Sequence, residues 1–132
     1  LYVADIFTPA KRSWVMSRIR SRDTKIEKKI AHLLRKNKIH YRRFPRIFGN
    51  PDFVVEKKVL VFCDGDFWHG YGYDKKKRPQ KKFWRDKIER NMERDRKVTR
   101  KLRADGWSVV RLWEHDIEKR PQSCIGRIRK SL

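Results

Sequence analysis

Long apolar runs and a cysteine framework are both missing from this sequence. No apolar run approaches the length of a membrane-spanning helix, and the first residues lack the charged-then-apolar order of a secretory signal peptide. The two cysteines, Cys63 and Cys124, have no CxxC spacing. The sequence therefore predicts a cytoplasmic protein without a membrane partner, in which both thiols are small buried groups.

Acidic residues are scarce relative to basic ones. The 132 residues include 37 Lys and Arg against 16 Asp and Glu, which gives a formal net charge of +21. A surplus of this size repels itself in the compact state unless a polyanion offsets it. Nucleic acid, an anionic membrane or an acidic protein could be that polyanion. The length predicts a single domain over residues 1–132, with 1–8 as an N-terminal extension.

Periodic apolar positions predict an α/β fold, a mixed central sheet flanked by helices. After a basic amphipathic helix over 9–21, Thr24 followed by Glu27 is a capping box that begins a helix ending near Asn37. The remaining elements are predicted as strands at 40–44, 52–55 and 59–63, a helix at 80–105, a strand at 107–113 and a helix at 121–131. The third strand is apolar throughout, as expected of a central strand covered on both faces.

Two aspartates and a histidine lie at the ends of neighbouring predicted strands. Asp52 begins the second strand, Asp64 follows the third after a tight hairpin, and His69 lies in the next loop. Carboxylates suit Mg²⁺, and a neutral imidazole accepts a proton from an attacking water. Asp52 is otherwise explained as a solvated turn residue beside Pro51, and His69 as a surface or core group. Glu27 either serves its capping box or orients water at the same site.

Two large aromatic residues stand in the loop after the third strand. Phe67 and Trp68 lie between Gly65 and Gly70. Their side chains are predicted either to pack in the core or to form a wedge that unstacks base pairs. Trp84, at the start of the long helix, is a weaker candidate for the same wedge.

Basic residues dominate the segment 75–103, with fifteen Lys or Arg against four acids. Such a helix face is often only solvated, but the i,i+4 ion pairs available here absorb few of the cations. The others, among them Lys81, Lys82 and Arg85, are predicted contacts to DNA phosphates. Contacts of this kind give salt-sensitive affinity without reading sequence.

The chain resembles the very short patch repair (Vsr) endonucleases over about residues 10–117. Five blocks match in order: KRSWVMSRIRSRDTKIEKKI, PDFVV, VFCDGDFWHG, FWRDKIERNMERDRK and GWSVVRLWEHD. The resemblance implies a restriction-endonuclease-like fold and Mg²⁺-dependent nicking of duplex DNA, 5′ of the thymine of a T·G mismatch.

Roles follow from the resemblance by position. It implies Asp52 as the principal metal ligand, the main-chain carbonyl of Cys63 as a second ligand, His69 as the catalytic histidine and Glu27 as a water-positioning acid. It implies that three aromatic residues open the stack beside the mismatch: Phe67, Trp68 and Trp84.

Two departures from the family pattern matter. The best-known members carry His where this chain has Asp64, which is predicted to add a metal ligand instead. Those members also hold a structural zinc. The corresponding positions here are Asp66, Tyr71, Tyr73 and His115. Tyr and Asp make a poor set beside the usual Cys and His ligands, so no structural zinc is predicted.

The combined prediction is a monomeric, Mg²⁺-dependent endonuclease acting in DNA repair on double-stranded DNA that contains a T·G or U·G mismatch. Two alternatives stay open: a related nuclease of different lesion or sequence specificity, and a non-catalytic nucleic-acid-binding module. A basic RNA-binding protein is the weakest alternative, because it would not require acids at two strand ends.

Overall fold

A computed structural model describes residues 23–73 and 79–132. In chain order its elements are helix α1 (Lys25–Lys36), strands β1 (Tyr41–Arg43), β2 (Phe53–Val55) and β3 (Val59–Asp64), helix α2 (Lys82–Ala104), strand β4 (Ser108–Trp113), and helices α3 (Glu114–Lys119) and α4 (Pro121–Lys130). No helix within these two ranges is long and apolar enough to cross a bilayer.

The four strands form one mixed sheet in the order β1-β2-β3-β4. Strand β3 pairs antiparallel with β2 and parallel with β4, and all six of its residues are buried. The predicted α/β fold, the hairpin across residues 56–58 and the central position of the third strand are therefore confirmed. Strand β1 lies at the edge of the sheet, also as predicted.

The two faces of the sheet pack against different helices. Val61 and Cys63 of β3 belong to the core shared with α1, α3 and α4, whereas Leu60 and Phe62 belong to the core shared with α2. Side chains alternate between the faces along a strand. Asp64, at the end of β3, therefore falls on the α2 side.

Helix α1 begins where the capping box predicts. Thr24 is the N-cap, and its Oγ1 accepts a hydrogen bond from the Glu27 N–H at 3.4 Å. Glu27 Oε1 accepts from the Asp23 N–H at 2.7 Å. Ile30 is fully buried against the sheet, and Asn37 is the C-cap. These contacts fix the first turn of α1 beside the end of the sheet.

Helix α3 is absent from the sequence prediction, which treats Glu114 and the following residue as the end of a strand. Its first turn contains Glu114 and Asp116, which the helix dipole stabilises, and Ile117 is fully buried. Six residues are too few for apolar periodicity to reveal a helix. The predicted helix over 9–21 and the extension over 1–8 lie outside the described residues.

Gly49 brings the backbone against α2. Its φ is +86°, and a Cβ there would lie 2.3 Å from Val98 Cγ1. We expect Gly49→Ala to lower the free energy of unfolding by about 2 kcal/mol or more, because backbone strain and crowding of a buried side chain add. Gly106→Ala is the control, since φ is +100° but nothing lies within 4 Å. Urea unfolding compares the two, and equal losses would contradict the packing account.

Candidate metal centre and nucleic-acid interface

The start of β2, the end of β3 and the N-terminus of α1 meet at one cleft beside α2. The cleft has a volume of about 610 Å³. Its ionisable lining consists of Lys25, Glu27, Asp52, Cys63, Asp64, His69, Arg94, Asp95, Arg111, Glu114 and Glu118. The fold thus brings the four predicted catalytic side chains to the same cleft.

Asp52 precedes β2 and is partly buried in the cleft. Its Oδ2 accepts a hydrogen bond from the Cys63 N–H at 2.7 Å. Burial raises the pKa of Asp52 to about 7; the Cys63 hydrogen bond opposes this rise, and the charges of Glu27 and Asp64 add to it. The charges with the largest influence on the pKa of Asp52 are those of Glu27, Asp64 and His69, and no Lys or Arg is among them. A partly buried carboxylate in these surroundings would be stabilised by a cation.

Asp64, the last residue of β3, is paired with Arg111 of β4. Arg111 Nη1 donates to Asp64 Oδ1 at 3.0 Å and to Oδ2 at 3.1 Å. Burial raises the pKa of Asp64, while the charges of His69 and Arg111 oppose that rise. Both oxygens of Asp64 therefore have a cationic partner. That partner competes with the predicted role of Asp64 as a metal ligand.

His69 is oriented by Asp95 of α2, a residue outside the predicted site. His69 Nδ1 lies 2.5 Å from Asp95 Oδ2 and 3.6 Å from Asp64 Oδ1. Burial lowers the pKa of His69, but the Asp95 hydrogen bond and the charges of Asp64 and Asp95 outweigh burial, so the pKa lies above its usual value. A carboxylate only accepts hydrogen bonds, so Nδ1 carries the proton. Nε2 then has the lone pair that a general base requires.

The loop that carries His69 is held against α2 on both sides of the histidine. Asn91 Nδ2 donates to the Trp68 main-chain carbonyl at 3.0 Å. Gly70 has a φ of +78°, and a Cβ there would lie 2.4 Å from Met92 Sδ. This close approach places the His69 ring beside the same helix that supplies Asp95.

Glu27 caps α1 and also lines the cleft. Its Oε2 accepts a hydrogen bond from the Thr24 hydroxyl at 3.0 Å, and Arg43 Nη2 lies 3.6 Å from its Oε1. The residue is 3% exposed, and its charge helps to raise the pKa of Asp52. The capping explanation is confirmed, and the water-positioning role stays a prediction.

Cys63 contributes to the site through its backbone. Its N–H donates to Asp52, whereas its side chain belongs to the core on the opposite face of the sheet. The Cys63 side chain is a buried core group, as predicted. This burial raises the pKa of its thiol far above the usual value. Its main-chain carbonyl remains the predicted metal ligand.

The Asp52 side of the cleft suits a hard cation such as Mg²⁺. Asp52 and the Cys63 carbonyl offer oxygen donors, and Mg²⁺ is commonly held by one or two carboxylates with water and substrate phosphate. The partly buried Asp52 carboxylate also has acidic neighbours, whose charges a cation would offset. A second group, Asp64, His69 and Asp95, has ligand atoms within 4.8 Å of one another. The residues therefore fit a metal-dependent site.

Two cleft residues that pair directly with predicted site residues, Asp95 and Arg111, are missing from the sequence prediction. Asp95 is the acid of α2 without a Lys or Arg three or four positions away, and its neighbours at those spacings include Met92 and Val98. Arg111 is a single charge between Val110 and Leu112 in an apolar strand. A charge on an apolar face is the signal that would have marked both residues.

The predicted wedge residues form an aromatic cluster with Phe83. Ring centroids lie 4.8 Å apart for Phe67 and Trp68, 5.3 Å for Trp68 and Trp84, and 5.0 Å for Phe83 and Trp84. Trp84 has no exposed surface, whereas Phe83 is 45% exposed. In the DNA-free protein Trp84 is the buried centre of the cluster and packs beneath the other rings, so its contact with DNA stays a prediction. Phe67 and Trp68 are partly exposed.

The basic residues predicted to contact DNA lie at the N-terminus of α2. Lys81 is its exposed N-cap, and Lys82 is exposed with its Nζ 2.7 Å from Asp86 Oδ2. Arg85 donates to the Pro79 carbonyl at 3.2 Å, so it braces the preceding segment. The first turn of α2 contains no acid. Lysines at a positively polarised helix end favour a bound anion, although contact with DNA stays a prediction.

Three of the four positions that the family resemblance assigns to a structural zinc contact one another here. Asp66 Oδ1 lies 2.9 Å from His115 Nδ1, and the Tyr71 ring lies 4.2 Å from the His115 ring. Tyr73 is buried, and its hydroxyl donates to Glu89. Two phenols with one carboxylate and one imidazole are a poor zinc set. The expected absence of a structural zinc stays a prediction.

Comparison with known proteins bears on what this cleft does. A family model described as DNA mismatch endonuclease Vsr matches residues 4–75. The chain is 38% identical to the type II nicking enzyme V.NmeDIP of Neisseria meningitidis serogroup C, over 97% of this chain and 90% of that protein. It is 37% identical to V.HpaIIP of Haemophilus parainfluenzae, another type II nicking enzyme, over 97% of this chain and 95% of that protein. It is 39% identical to DNA mismatch endonuclease Vsr of Escherichia coli, over 85% of this chain and 74% of that protein.

These matches agree with the geometry. The family model spans more than half of the chain, and the relatives align along most of it. The mixed sheet with flanking helices is consistent with a restriction-endonuclease-like fold. The chain therefore belongs to the Vsr family of DNA mismatch endonucleases and is a phosphodiester hydrolase that cuts DNA.

Proposed function

We propose that this protein is a Mg²⁺-dependent repair endonuclease that nicks duplex DNA at T·G or U·G mismatches, on the strand of the mismatched T and 5′ of it. One observation carries the proposal: in a chain of the Vsr family, a partly buried carboxylate with acidic neighbours, Asp52, shares a cleft with a His69 ring that Asp95 orients. A hard cation beside a general base is what metal-assisted phosphodiester hydrolysis requires. The protein would act as a monomer in the cytoplasm, at the nucleoid in a prokaryote.

Each cleft residue has a separate task in this proposal. Asp52 and the main-chain carbonyl of Cys63 would hold Mg²⁺, and the ion would supply charge that polarises the scissile phosphate and stabilises the departing oxygen. His69 Nε2 removes a proton from the attacking water, while Asp95 keeps Nδ1 protonated and the ring in position. Glu27 orients water from the N-terminus of α1.

Mismatch selection is assigned to the aromatic cluster. Phe67 and Trp68 lie in the loop between Asp64 and His69 and are supported from below by the buried Trp84. Opening a mismatched base pair costs less free energy than opening a Watson–Crick pair, so an aromatic wedge inserts more readily at the mismatch. The exposed Phe83 extends the same surface toward Lys82. DNA phosphates would rest on the lysines at the start of α2.

A related nuclease with a different lesion or sequence specificity is the second candidate. It is favoured by the relatives named type II nicking enzymes, which show that the family includes members described by nicking rather than by a mismatch. Both candidates use the same cleft chemistry. They differ in which duplex is cut.

A nicking assay on end-labelled duplexes tests the proposal. With Mg²⁺, we expect one strand of T·G and U·G duplexes to be cut and the matched duplex to be left intact. Cleavage of a matched duplex at an equal rate would favour the second candidate. Absence of cleavage on every duplex, with retained DNA binding, would favour the non-catalytic binding module and contradict the proposal.

The aromatic wedge makes its own prediction in this assay. We expect Trp68→Ala to lower the rate on T·G duplexes by about 10²-fold, because opening the pair costs a few kcal/mol that the ring no longer offsets. Trp107→Ala is the control for loss of a tryptophan, since Trp107 lies at the opposite end of β4 from the cleft. An unchanged preference for T·G over matched DNA in Trp68→Ala would show that the wedge assignment is wrong.

A further inference from the structure

Three side chains on the α2 side of the sheet have the spacing of a second cation site. Asp64, His69 and Asp95 each offer one ligand atom, and these atoms lie within 4.8 Å of one another. Two carboxylates suit Mg²⁺ or Mn²⁺, and an imidazole is a common ligand of transition-metal ions. A nuclease that uses two metal ions would place its second ion among such ligands.

A guanidinium already lies among these ligands. Arg111 Nη1 donates to Asp64 Oδ1 at 3.0 Å and to Asp64 Oδ2 at 3.1 Å, and it lies 3.7 Å from Asp95 Oδ1. Arg111 Nη2 donates to the main-chain carbonyl of Asp95 at 3.4 Å. Both aspartates that a second ion would need are therefore engaged by one cation of the chain itself.

Two further contacts hold the Arg111 guanidinium in this position. Arg111 Nε donates to Thr99 Oγ1 at 2.7 Å, and the guanidinium carbon lies 4.1 Å from the centre of the Phe62 ring. A guanidinium in a protein does not lose its proton, and its planar fork matches a carboxylate. The positive charge that Arg111 supplies is therefore permanent, whereas a bound metal ion can dissociate into solvent.

We propose that Arg111 takes the place of a second divalent cation, so that the cleft binds one ion, held by Asp52, and Asp64 is the counter-ion of Arg111 rather than a metal ligand. The proposal rests on the proposed function, because it concerns the number of ions at the nicking site. It accounts for the difference between the two acids at the strand ends. Asp64 has a guanidinium partner, whereas the strongest charges around Asp52 are acidic.

Mn²⁺ binding to the DNA-free protein tests the assignment. Electron paramagnetic resonance measures free Mn²⁺ and so gives the number of ions bound per chain. We expect one ion on the wild-type protein and two on Arg111→Met, because loss of the guanidinium frees the three ligands. Arg111→Lys keeps the charge and should bind one. Arg103→Met, which removes an α2 cation that donates to the Val109 carbonyl, should also bind one.

A double variant keeps the test decisive if Arg111→Met does not fold. Asp64→Asn with Arg111→Met removes the ion pair without changing the net charge of the cleft. We expect it to bind one Mn²⁺ with an affinity within about tenfold of the wild-type value, since losing neighbours of a metal ligand has effects of that order or somewhat larger. Loss of the ion in this variant would show that Asp64 is a ligand. Two ions on the wild-type protein, or one on a folded Arg111→Met, would equally overturn the proposal.

The nicking assay separates this result from the proposed function. A wild-type protein that binds one Mn²⁺ but cuts no duplex would support the role of Arg111 and contradict the proposed function. A wild-type protein that nicks T·G duplexes while binding two ions would support the function and contradict the role of Arg111.

Discussion

Asp52→Asn should reduce nicking of a mismatched duplex by about 10³-fold or more, since a metal ion contributes several kcal/mol to stabilising the transition state. The amide can still accept the Cys63 hydrogen bond, but it has no charge to hold the ion. Single-turnover rates with Mg²⁺ measure the loss. Asp105→Asn, which changes an exposed carboxylate at the C-cap of α2, should nick at the wild-type rate.

The same substitution should stabilise the metal-free protein at neutral and higher pH. Folding raises the pKa of Asp52 from 3.8 to about 7. Between those values the folded carboxyl keeps a proton that the unfolded chain has released, so the stability of the wild-type protein falls as pH rises through this range. The loss is limited to a few kcal/mol, at about 1.4 kcal/mol for each pKa unit. Asparagine does not titrate and removes the loss.

Thermal unfolding in a chelator checks this pH dependence. Asp52→Asn should have a higher Tm than the wild-type protein near pH 8, and the difference should shrink toward pH 4, where the wild-type carboxyl is protonated in the folded state. Mg²⁺ should raise the Tm of the wild-type protein alone. A lower Tm for Asp52→Asn at pH 8 would mean that the carboxylate is paired in the folded protein. Unchanged nicking would exclude Asp52 as the principal metal ligand.

His69→Ala should slow nicking by about 10²- to 10⁴-fold, the usual contribution of a general base. The proposed base works in its neutral form, so the rate should rise with pH through the pKa of His69, which lies above its usual value. Asp95→Asn removes a hydrogen bond and a charge that raise this pKa. It should therefore move the midpoint of the pH profile to lower pH, and it should slow the reaction because the ring loses the carboxylate that orients it.

The pH profile distinguishes orientation of His69 from general damage to α2. Glu93→Gln is the matched control for Asp95→Asn, because Glu93 is an exposed acid on the same helix that pairs with Arg96. It should leave both the rate and the midpoint unchanged. A slower Asp95→Asn with an unshifted midpoint would contradict the proposed contact between Asp95 and the catalytic base.

The elements that the sequence predicts correctly are those with a local signal. The capping box places the start of α1, because Thr24 and Glu27 meet within a single turn. The apolar run from Val59 predicts the central strand, since burial on both faces leaves no polar alternation. Helix α3 has no such signal, because it is short and directly continues β4.

The residues of the candidate site likewise include some with a local sequence signal and one without. Asp52, Asp64 and His69 are recognisable from the sequence because one hairpin and one loop bring them together within a short stretch of chain. Asp95 has no feature of its own beyond a missing helical partner. Its position against His69 depends on how α2 packs on the loop, where Gly70 allows the close approach.

From the sequence alone follow the fold class, the family and the grouping of Asp52, Asp64 and His69 at the strand ends, because one hairpin and one loop bring these three residues together. The tertiary structure alone decides which charges compensate one another. Asp64 meets Arg111 across two parallel strands, 47 residues apart, and His69 meets Asp95 across a loop and a helix, 26 residues apart. In a buried cleft the electrostatic cost of a charge depends on such contacts, so which acid is left to bind an ion is a property of the packing.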